Sequence, residues 1–179
     1  MKKTISFILF TVIPVLADQL TKYLAVLYLR GREALVLIPG VLELCYLENN
    51  GAAFSLLRGK QWFFYILTIV FLAAVFAVLR KMPDTKRLRP LRISLLFLTA
   101  GAIGNFIDRV VHKYVVDFIY FSLIDFPVFN IADICVTVSV AVLVVLVLFY
   151  YKDSDFAFLS GLFPKRKNQS DAPDRAEKK

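Results

Sequence analysis

Two long apolar runs constrain this chain more than any other feature of its sequence. Trp62 to Leu79 contains 18 residues without a charged side chain, and Phe126 to Tyr151 contains 26 residues of which only Asp133 is charged. A hydrocarbon core about 30 Å thick is crossed by roughly 20 helical residues. Both runs are therefore predicted to cross a membrane as helices. The acid in the second run requires an explanation, because an ionised carboxylate in hydrocarbon costs about 3 kcal/mol.

The N-terminal apolar segment is predicted to be a third span. It extends over residues 4–29 and is interrupted by Asp18, Gln19 and Lys22. Two lysines followed by an apolar run up to Ala17 are also typical of a secretory signal peptide. Since the apolar character resumes after Lys22 and further spans follow, we interpret the segment as an uncleaved first helix.

A shorter apolar segment, Ile93 to Ile107, is predicted to be the fourth span. The fold class is then a membrane protein, mainly α, with four transmembrane helices. The spans are expected at about residues 4–29, 61–80, 90–108 and 127–151, within one membrane domain that covers residues 1–151.

The segments that follow the first and third spans are expected to lie on the outer side of the membrane. A β region is predicted at about residues 33–58, because two short β-prone runs flank the turn dipeptide Pro39-Gly40. We expect a small extracytoplasmic β-sheet, or cradle, that rests on the bilayer surface. Residues 109–126 are rich in Tyr and Phe, which suit the membrane–water interface, and are expected to form a short interfacial helix or loop.

The distribution of basic residues predicts the orientation in the membrane. Of 22 Lys and Arg residues, 15 lie in the N-terminal pair, between Arg80 and Arg92, or after Tyr151. The positive-inside rule places these segments in the cytoplasm, so both termini are expected there. The charged tail over residues 152–179 is expected to be disordered. The same bias accounts for the net charge of +8 without a nucleic-acid partner.

Several polar and small residues lie inside the predicted spans. Asp18 and Lys22 are four residues apart, so they face the same side of a helix and are expected to form an ion pair. Alternatively, Lys22 is long enough to extend to the outer interface. Small residues three apart let helices approach closely, which is the role expected for Gly101 and Gly104. The polar residues that follow them at the end of the third span are Asn105, Asp108 and Arg109.

Asp117 and Asp133 are the strongest candidates for chemistry. Counted from Pro127, Asp133 is six residues into the last span, roughly 9 Å at 1.5 Å per residue, and the connection from Asp117 is long enough to bring the two acids together. Close carboxylates in a low dielectric share a proton, so one can activate a water while the other protonates a carbonyl oxygen. Acids in membrane helices equally mark proton or cation pathways. The residues alone leave three functions open: an intramembrane hydrolase, a transporter or proton relay, and a structural role.

Five short blocks around these residues resemble the lipoprotein signal peptidase (signal peptidase II) family. In chain order they are "DQLTK" at 18–22, "NNGAAFS" at 49–55, "GAIGNFIDR" at 101–109, "VVDF" at 115–118 and "FNIAD" at 129–133. The resemblance covers about residues 4–151. It implies an intramembrane aspartyl protease with four transmembrane helices, an extracytoplasmic β-cradle and a short helix-bearing loop.

The resemblance also implies roles for individual residues. The catalytic aspartates are Asp117 and Asp133. The residues expected to bind the substrate are Asn49, Gly51, Asn105, Arg109 and Asn130. Structural support is expected from Asp18, Lys22, Asp108, Gly101 and Gly104.

The activity implied by the resemblance is removal of the signal peptide from diacylglyceryl-modified prolipoproteins, with cleavage just before the lipidated Cys. The family further implies a metal-free reaction without a cofactor, contact with membrane lipids, inhibition by globomycin-type cyclic peptides, and a bacterial inner-membrane location with the site near the outer face. No metalloprotease, serine hydrolase or nucleotide-binding signature appears in the sequence. The alternative is a small proton-coupled transporter or channel component, although the second span offers no ionisable group for a relay.

Overall fold

Four helical segments that are long and apolar enough to cross a membrane dominate the computed structural model. They are Thr4–Leu29, Trp62–Lys81, Arg89–His112 and Ile131–Tyr150. The structure describes residues 2–51 and 61–161. The mainly α fold with four membrane helices and a small sheet, predicted from hydropathy and turn residues, is confirmed.

The first span contains a change of helix type at a proline. It consists of α1 (Lys2–Phe7), a π-helical turn (Ile8–Val12) and α2 (Ile13–Leu29). Pro14, near the start of α2, has no N–H to donate to the carbonyl four residues earlier. The π-helical turn that immediately precedes α2 is the kind of local adjustment that accommodates such a gap in the hydrogen-bond ladder.

The third span, rather than the first, is the centre of the bundle. Helix α3 (Gln61–Lys81) precedes it, and the third span itself is α4 (Arg89–His112). Helix α4 packs against α2, α3 and the last span. It continues four residues beyond the predicted end at residue 108 and stops at Lys113, whose φ of 70° is left-handed and whose N–H donates to the Arg109 carbonyl.

The last span begins later than predicted. Helix α5 covers Ile131–Val145 and continues into a π-helical turn, Leu146–Tyr150. Asn130 is its N-cap: the Asn130 side chain accepts from the Asp133 N–H (2.9 Å), and the Asp133 carboxylate accepts from the Asn130 N–H (3.2 Å). This capping box starts the helix at residue 131 instead of 127. Asp133 is therefore in the first turn of the helix, and the prediction that it lies six residues inside was wrong.

A three-stranded antiparallel sheet is formed by segments that follow the C-terminal ends of α2 and α4 in the chain. Its strands are β1 (Leu35–Ile38), β2 (Leu42–Asn49) and β3 (Val115–Tyr120), in that order. The predicted turn at Pro39-Gly40 joins β1 to β2: Gly40 has φ +68°, and the Val41 N–H donates to the Ile38 carbonyl at 3.0 Å. The part of the predicted β region at 52–58 lies outside the described residues.

Strand β3 lies in a segment for which the sequence predicted a different structure. Residues 109–126 were expected to form an interfacial helix or loop, but 115–120 pair with β2, and only Ser122–Ile124 form a short 3-10 helix. The segment "VVDFIY" is β-branched and aromatic, which favours a strand once a partner strand is present. Val116 and Phe118 of β3 are buried against Ala25 and Leu29 of α2. This packing fixes β3 on the C-terminal end of the first span.

The beginning of the C-terminal tail is ordered as well, contrary to the expected disorder. Asp153–Gly161 form a 3-10 helix. Phe156 and Phe158 from this helix pack against a buried cluster at the opposite end of the bundle from the sheet, formed by Met82, Leu88, Leu91 and Tyr151. Burial of two aromatic rings accounts for the order of this segment. Residues 162–179 lie outside the described part of the chain.

Candidate active site

Asp117 and Asp133 lie on different elements and face one cavity. Asp117 is in β3, and Asp133 is in the first turn of α5. The cavity has a volume of about 950 Å³. Its polar lining includes Asn49, Gly51, Arg109, Asp117 and Asp133, and its apolar lining includes Leu47, Phe126, Val128, Phe129, Ile134 and Val138. Two acids 16 positions apart in the sequence therefore line one cavity that also has apolar lining residues.

Asp117 is buried, with 1% of its surface exposed. Its Oδ1 accepts from Asn130 Nδ2 at 2.6 Å, and its Oδ2 accepts from Asn49 Nδ2 at 2.9 Å. Burial, followed by the neighbouring charge of Asp133, raises the pKa of Asp117 to about 7, and the two amide hydrogen bonds act in the opposite direction. A carboxyl with this pKa carries a proton on a large fraction of molecules at neutral pH.

Asp133 has a different set of donors. Its Oδ1 accepts from Asn105 Nδ2 at 2.8 Å, and its Oδ2 accepts from the backbone N–H of Asn130 at 3.2 Å. The carboxylate also lies at the N-terminal end of α5, where the helix dipole favours negative charge. Each of the two acids thus receives two hydrogen bonds from the protein.

The three asparagines around the acids all have a fixed amide orientation. In each, the carbonyl oxygen accepts from a group that can only donate, so the NH₂ group must point the other way, to an aspartate. The donors are Gly51 N–H to Asn49 Oδ1 (3.0 Å), Asp133 N–H to Asn130 Oδ1 (2.9 Å) and Lys22 Nζ to Asn105 Oδ1 (2.9 Å). The first of these contacts is the Asx turn formed by "NNG" at 49–51.

Asn130 is enclosed beside the two acids, and its expected contact with the substrate stays a prediction. It is 0% exposed, and its amide also donates to the Val116 carbonyl and to Asn105 Oδ1. A side chain this enclosed positions Asp117 and caps α5 rather than reaching into the cavity. Sequence reasoning correctly placed Asn130 beside the acids. It did not predict the contacts of the Asn130 side chain, because these depend on where α5 begins.

Lys22 is the centre of a buried ion cluster behind the two acids. Its Nζ lies 2.9 Å from Asp18 Oδ2 and 3.0 Å from Asp108 Oδ2, and Lys22 and Asp18 are 3% and 1% exposed. The predicted pair of Asp18 and Lys22 is confirmed, whereas the alternative in which Lys22 extends to the interface is wrong. Two opposite charges compensate the ammonium, which lowers the cost of burying all three.

The two acids of this cluster also hold the elements that carry Asp117 and Asp133. Asp18 Oδ1 accepts from the backbone N–H of Ala132 at 2.8 Å, one residue before Asp133. Asp108 Oδ2 accepts from the backbone N–H of Val116 at 3.0 Å, one residue before Asp117. The cluster therefore fixes α5 and β3 relative to α2 and α4.

Gln19 belongs to the same cluster, although sequence reasoning assigned it no role. Its Nε2 lies within hydrogen-bonding distance of Asp18 Oδ2 (3.2 Å), the Gly104 carbonyl (3.2 Å) and Asp108 Oδ1 (3.0 Å). A neutral polar residue adjacent to an acid in a membrane helix is the signal that points to it, because such residues bond between helices.

Gly101 and Gly104 let α4 approach its neighbours closely, as predicted. A Cβ atom on Gly104 would lie 2.5 Å from Asp18 Oδ2, and one on Gly101 would collide with the Ala132 carbonyl oxygen of α5. Side chains at these positions would therefore separate α4 from the helices that carry the ion cluster and Asp133.

Arg109 lines the cavity beside the two acids. Its guanidinium lies 4.7 Å from the centre of the Phe64 ring, and its Nη1 donates to the Asn105 carbonyl at 3.3 Å. In the part of the chain that the structure describes, no group of three His, Cys, Asp or Glu side chains is arranged to hold a metal ion.

Four helices long enough to cross a membrane, with two acids on one cavity, are the arrangement expected of a membrane-embedded aspartic protease. The sequence model of the family described as signal peptidase (SPase) II matches residues 10–149. The chain therefore belongs to the signal peptidase II family and is a membrane protease of the lipoprotein-processing type. A transporter function is not supported.

Individual relatives agree with this assignment. The lipoprotein signal peptidases of Streptococcus pyogenes serotype M5 (strain Manfredo) and serotype M18 (strain MGAS8232) are each 39% identical over 156 residues, which is 87% of this chain and 99% of theirs. Two bacterial membrane enzyme structures, solved by the in meso method at 2.3 and 1.9 Å resolution, superpose with TM-scores of 0.73 and 0.72 at 38% and 37% identity. The alignments cover 79% and 81% of this chain and 87% and 94% of those chains.

Proposed function

We propose that this chain is an intramembrane aspartyl endopeptidase that removes the signal peptide from diacylglyceryl-modified prolipoproteins, with Asp117 and Asp133 as its catalytic residues. The observation that supports the proposal is that both acids line one cavity and that each accepts a hydrogen bond from an asparagine amide of fixed orientation. The scissile bond is the one just before the lipidated Cys.

The proposed reaction needs one ionised and one protonated acid. Asp133 removes a proton from a water molecule, and the oxygen attacks the scissile carbonyl carbon while Asp117 gives its proton to the carbonyl oxygen. In the collapse of the intermediate, Asp133 returns a proton to the leaving amine and Asp117 takes back the hydroxyl proton. Both acids end in their starting states, so the cycle balances without a metal or cofactor.

The cavity suits a substrate that is a peptide at one end and a lipid at the other. Arg109 and Asn49 lie beside the acids, where they are proposed to hold the peptide backbone. Phe126, Ile134 and Val138 form an apolar side and are exposed at the protein surface. Acyl chains are proposed to lie along this side because it is continuous with the membrane-spanning surface of α5. Globomycin-type cyclic peptides are proposed to inhibit by occupying the same cavity.

The proposed location is the bacterial inner membrane, with both termini cytoplasmic and the site near the outer face. Two features support this orientation. The basic segment from Arg80 to Arg92 lies at the end of the bundle opposite the sheet, and the positive-inside rule assigns that end to the cytoplasm. Asp117 is in the sheet, so the site lies at the other end.

The test of this function compares two forms of one prolipoprotein, with and without the diacylglyceryl group, as substrates of the purified full-length enzyme. Cleavage just before the modified Cys is expected for the lipidated form, with at least about a hundredfold lower kcat/KM for the unmodified form, because the lost acyl chains remove binding energy. Mass spectrometry of the products locates the cut. Equal cleavage of both forms, or a cut elsewhere, contradicts the proposal.

The activity is also expected to fall as the pH rises through about 7. Asp117 acts as the proton donor, and since its pKa is raised to about 7, the protonated form is present below this pH and is lost above it. Asn49→Ala removes a hydrogen bond that stabilises the ionised form, so the alkaline limb of its kcat/KM profile is expected at higher pH than in the wild type. If the alkaline limb of Asn49→Ala lies at the same pH as in the wild type, or at lower pH, Asp117 is not the proton donor.

A further inference from the structure

We propose that Lys22 is a positioning residue for the reaction: by fixing the orientation of the Asn105 amide, it keeps Asp133 as the ionised acid and therefore as the base. This inference rests on the proposed function, because it assigns the roles within the same pair of acids. Lys22 neither lines the cavity nor contacts a reacting atom, and its hydrogen-bonded contact with Asp133 runs through Asn105.

Two hydrogen bonds connect Lys22 to Asp133 through Asn105, and both run from donor to acceptor in the same direction. Lys22 Nζ donates to Asn105 Oδ1 at 2.9 Å, and Asn105 Nδ2 donates to Asp133 Oδ1 at 2.8 Å. An ammonium group has three donors and no acceptor, so the oxygen of the Asn105 amide must face it. The NH₂ group must then face Asp133, where it meets an acceptor. An amide N–H stabilises a carboxylate more than a carboxylic acid, because hydrogen bonds to charged acceptors are stronger.

Lys22 itself has no freedom to reorient. Its three N–H donors match three acceptors, Asp18 at 2.9 Å, Asp108 at 3.0 Å and Asn105 at 2.9 Å. The residue is 3% exposed, and both acids that hold it are buried. The acids in turn bind the backbone of α5 and β3. The orientation of Asn105 is therefore set by a rigid group rather than by a mobile side chain.

The charges around Asp133 do not by themselves explain its role. Asp18 and Lys22 face it from α2, Asp108 and Arg109 belong to α4, and Asp117 faces it from β3. With Asp117 protonated, the carboxylates of Asp18 and Asp108 balance the cations Lys22 and Arg109, so the net surrounding charge does not favour a second carboxylate. The ionised form of Asp133 is favoured instead by the hydrogen-bond donors that point at its carboxylate.

Within residues 2–51 and 61–161, Asp117 has no equivalent series of hydrogen bonds from a cation, and this asymmetry supports the inference. The amides that donate to Asp117 belong to Asn49 and Asn130, whose carbonyl oxygens accept from the neutral backbone N–H groups of Gly51 and Asp133. Among the residues that the structure describes, the amide that donates to Asp133 is the only one of the three that is oriented by a cation. Asp133 is therefore the base of the proposed reaction, and Asp117 carries the proton.

The test is the pH profile of kcat/KM for cleavage of a lipidated prolipoprotein by the full-length enzyme. Asn105→Leu removes the donor, and Lys22→Met removes the group that orients it. Each is expected to move the acidic limb of the profile to higher pH by about one unit, because the base is then protonated more easily. The double variant is expected to show no larger shift than Asn105→Leu, since Lys22 acts through Asn105.

Thr21→Val is the matched control on the same helix. The Thr21 hydroxyl donates only to the Ala17 and Asp18 carbonyls of its own helix, so the variant is expected to keep the wild-type profile. A uniform fall in rate with unmoved limbs, or additive shifts in the double variant, overturns the proposal. If thermal unfolding shows that Lys22→Met does not fold, the acidic limb of Asn105→Leu is the deciding measurement. This variant keeps the ion pairs of Lys22 with Asp18 and Asp108.

Failure of this proposal is distinguishable from failure of the proposed function. Asp117→Asn and Asp133→Asn are inactive if the two acids are catalytic, whatever the role of Lys22. Inactive aspartate variants with an unmoved acidic limb in Asn105→Leu overturn the assignment of roles only.

Discussion

Replacement of either Asp117 or Asp133 by Asn is expected to lower kcat for prolipoprotein cleavage by at least about 10⁴-fold, the scale expected when a required general acid or base is removed. Asn keeps the size of the side chain and one acceptor oxygen but can neither take a proton from water nor give one to the carbonyl. Because the two acids act in one step, the double variant is expected to be about as inactive as either single variant. The rates are measured with purified protein and lipidated substrate.

Asp84→Asn is the control for this pair, because it makes the same chemical change at an exposed position between α3 and α4, far from the cavity. It is expected to cleave at the wild-type rate. Thermal unfolding in detergent checks that the two active-site variants remain folded, which is expected since Asn removes a buried acid without changing its volume. A folded Asp117→Asn or Asp133→Asn enzyme with near-normal turnover contradicts the catalytic role of that residue.

Substitution of Gly101 by Ala is expected to destabilise the protein by about 3 kcal/mol, the upper end for overpacking in a closely packed interface, and to remove most activity. The added methyl group would collide with the Ala132 carbonyl oxygen of α5. Since Ala132 adjoins Asp133, the displacement acts directly on the proposed base. The expected result is a lower unfolding temperature together with a reduced kcat.

A second substitution locates the cause of this effect. The added Cβ would also lie 2.7 Å from Val136 Cγ2, so Val136→Ala relieves that contact but leaves the collision with the Ala132 carbonyl. Little rescue of Gly101→Ala by Val136→Ala is therefore expected. Val111→Ala, at a position of α4 that is 63% exposed, is expected to change stability far less. A Gly101→Ala protein as stable as the wild type shows that α5 moves away from α4 at low cost.

Local sequence patterns predicted the helices and the first hairpin well. A span is recognised from the length of its apolar run, and the turn at Pro39-Gly40 from two residues whose backbone preferences are intrinsic. The pair of Asp18 and Lys22 was predictable for the same reason, since a spacing of four residues on a helix brings two side chains together.

The errors occurred where an element depends on distant partners. Strand β3 exists because β2, more than 60 residues earlier in the chain, supplies its pairing edge. The start of α5 was placed too early because apolar residues before Asn130 extend the hydropathy signal, whereas the capping box sets the first helical residue. The charged tail was predicted to be disordered because of its charge, but Phe156 and Phe158 pack its beginning against the bundle.

The sequence by itself therefore determined the number of spans and the hairpin, and it pointed to the two acids that are proposed as catalytic. Only the tertiary structure decided what surrounds them: the contact of Lys22 with Asp108, the three fixed asparagine amides and the position of Asp133 in the first turn of α5. The physical reason is that hydropathy and helical spacing act within one segment of chain. Hydrogen-bond polarity at a buried site is set by donors from several segments, and these meet only when the helices pack.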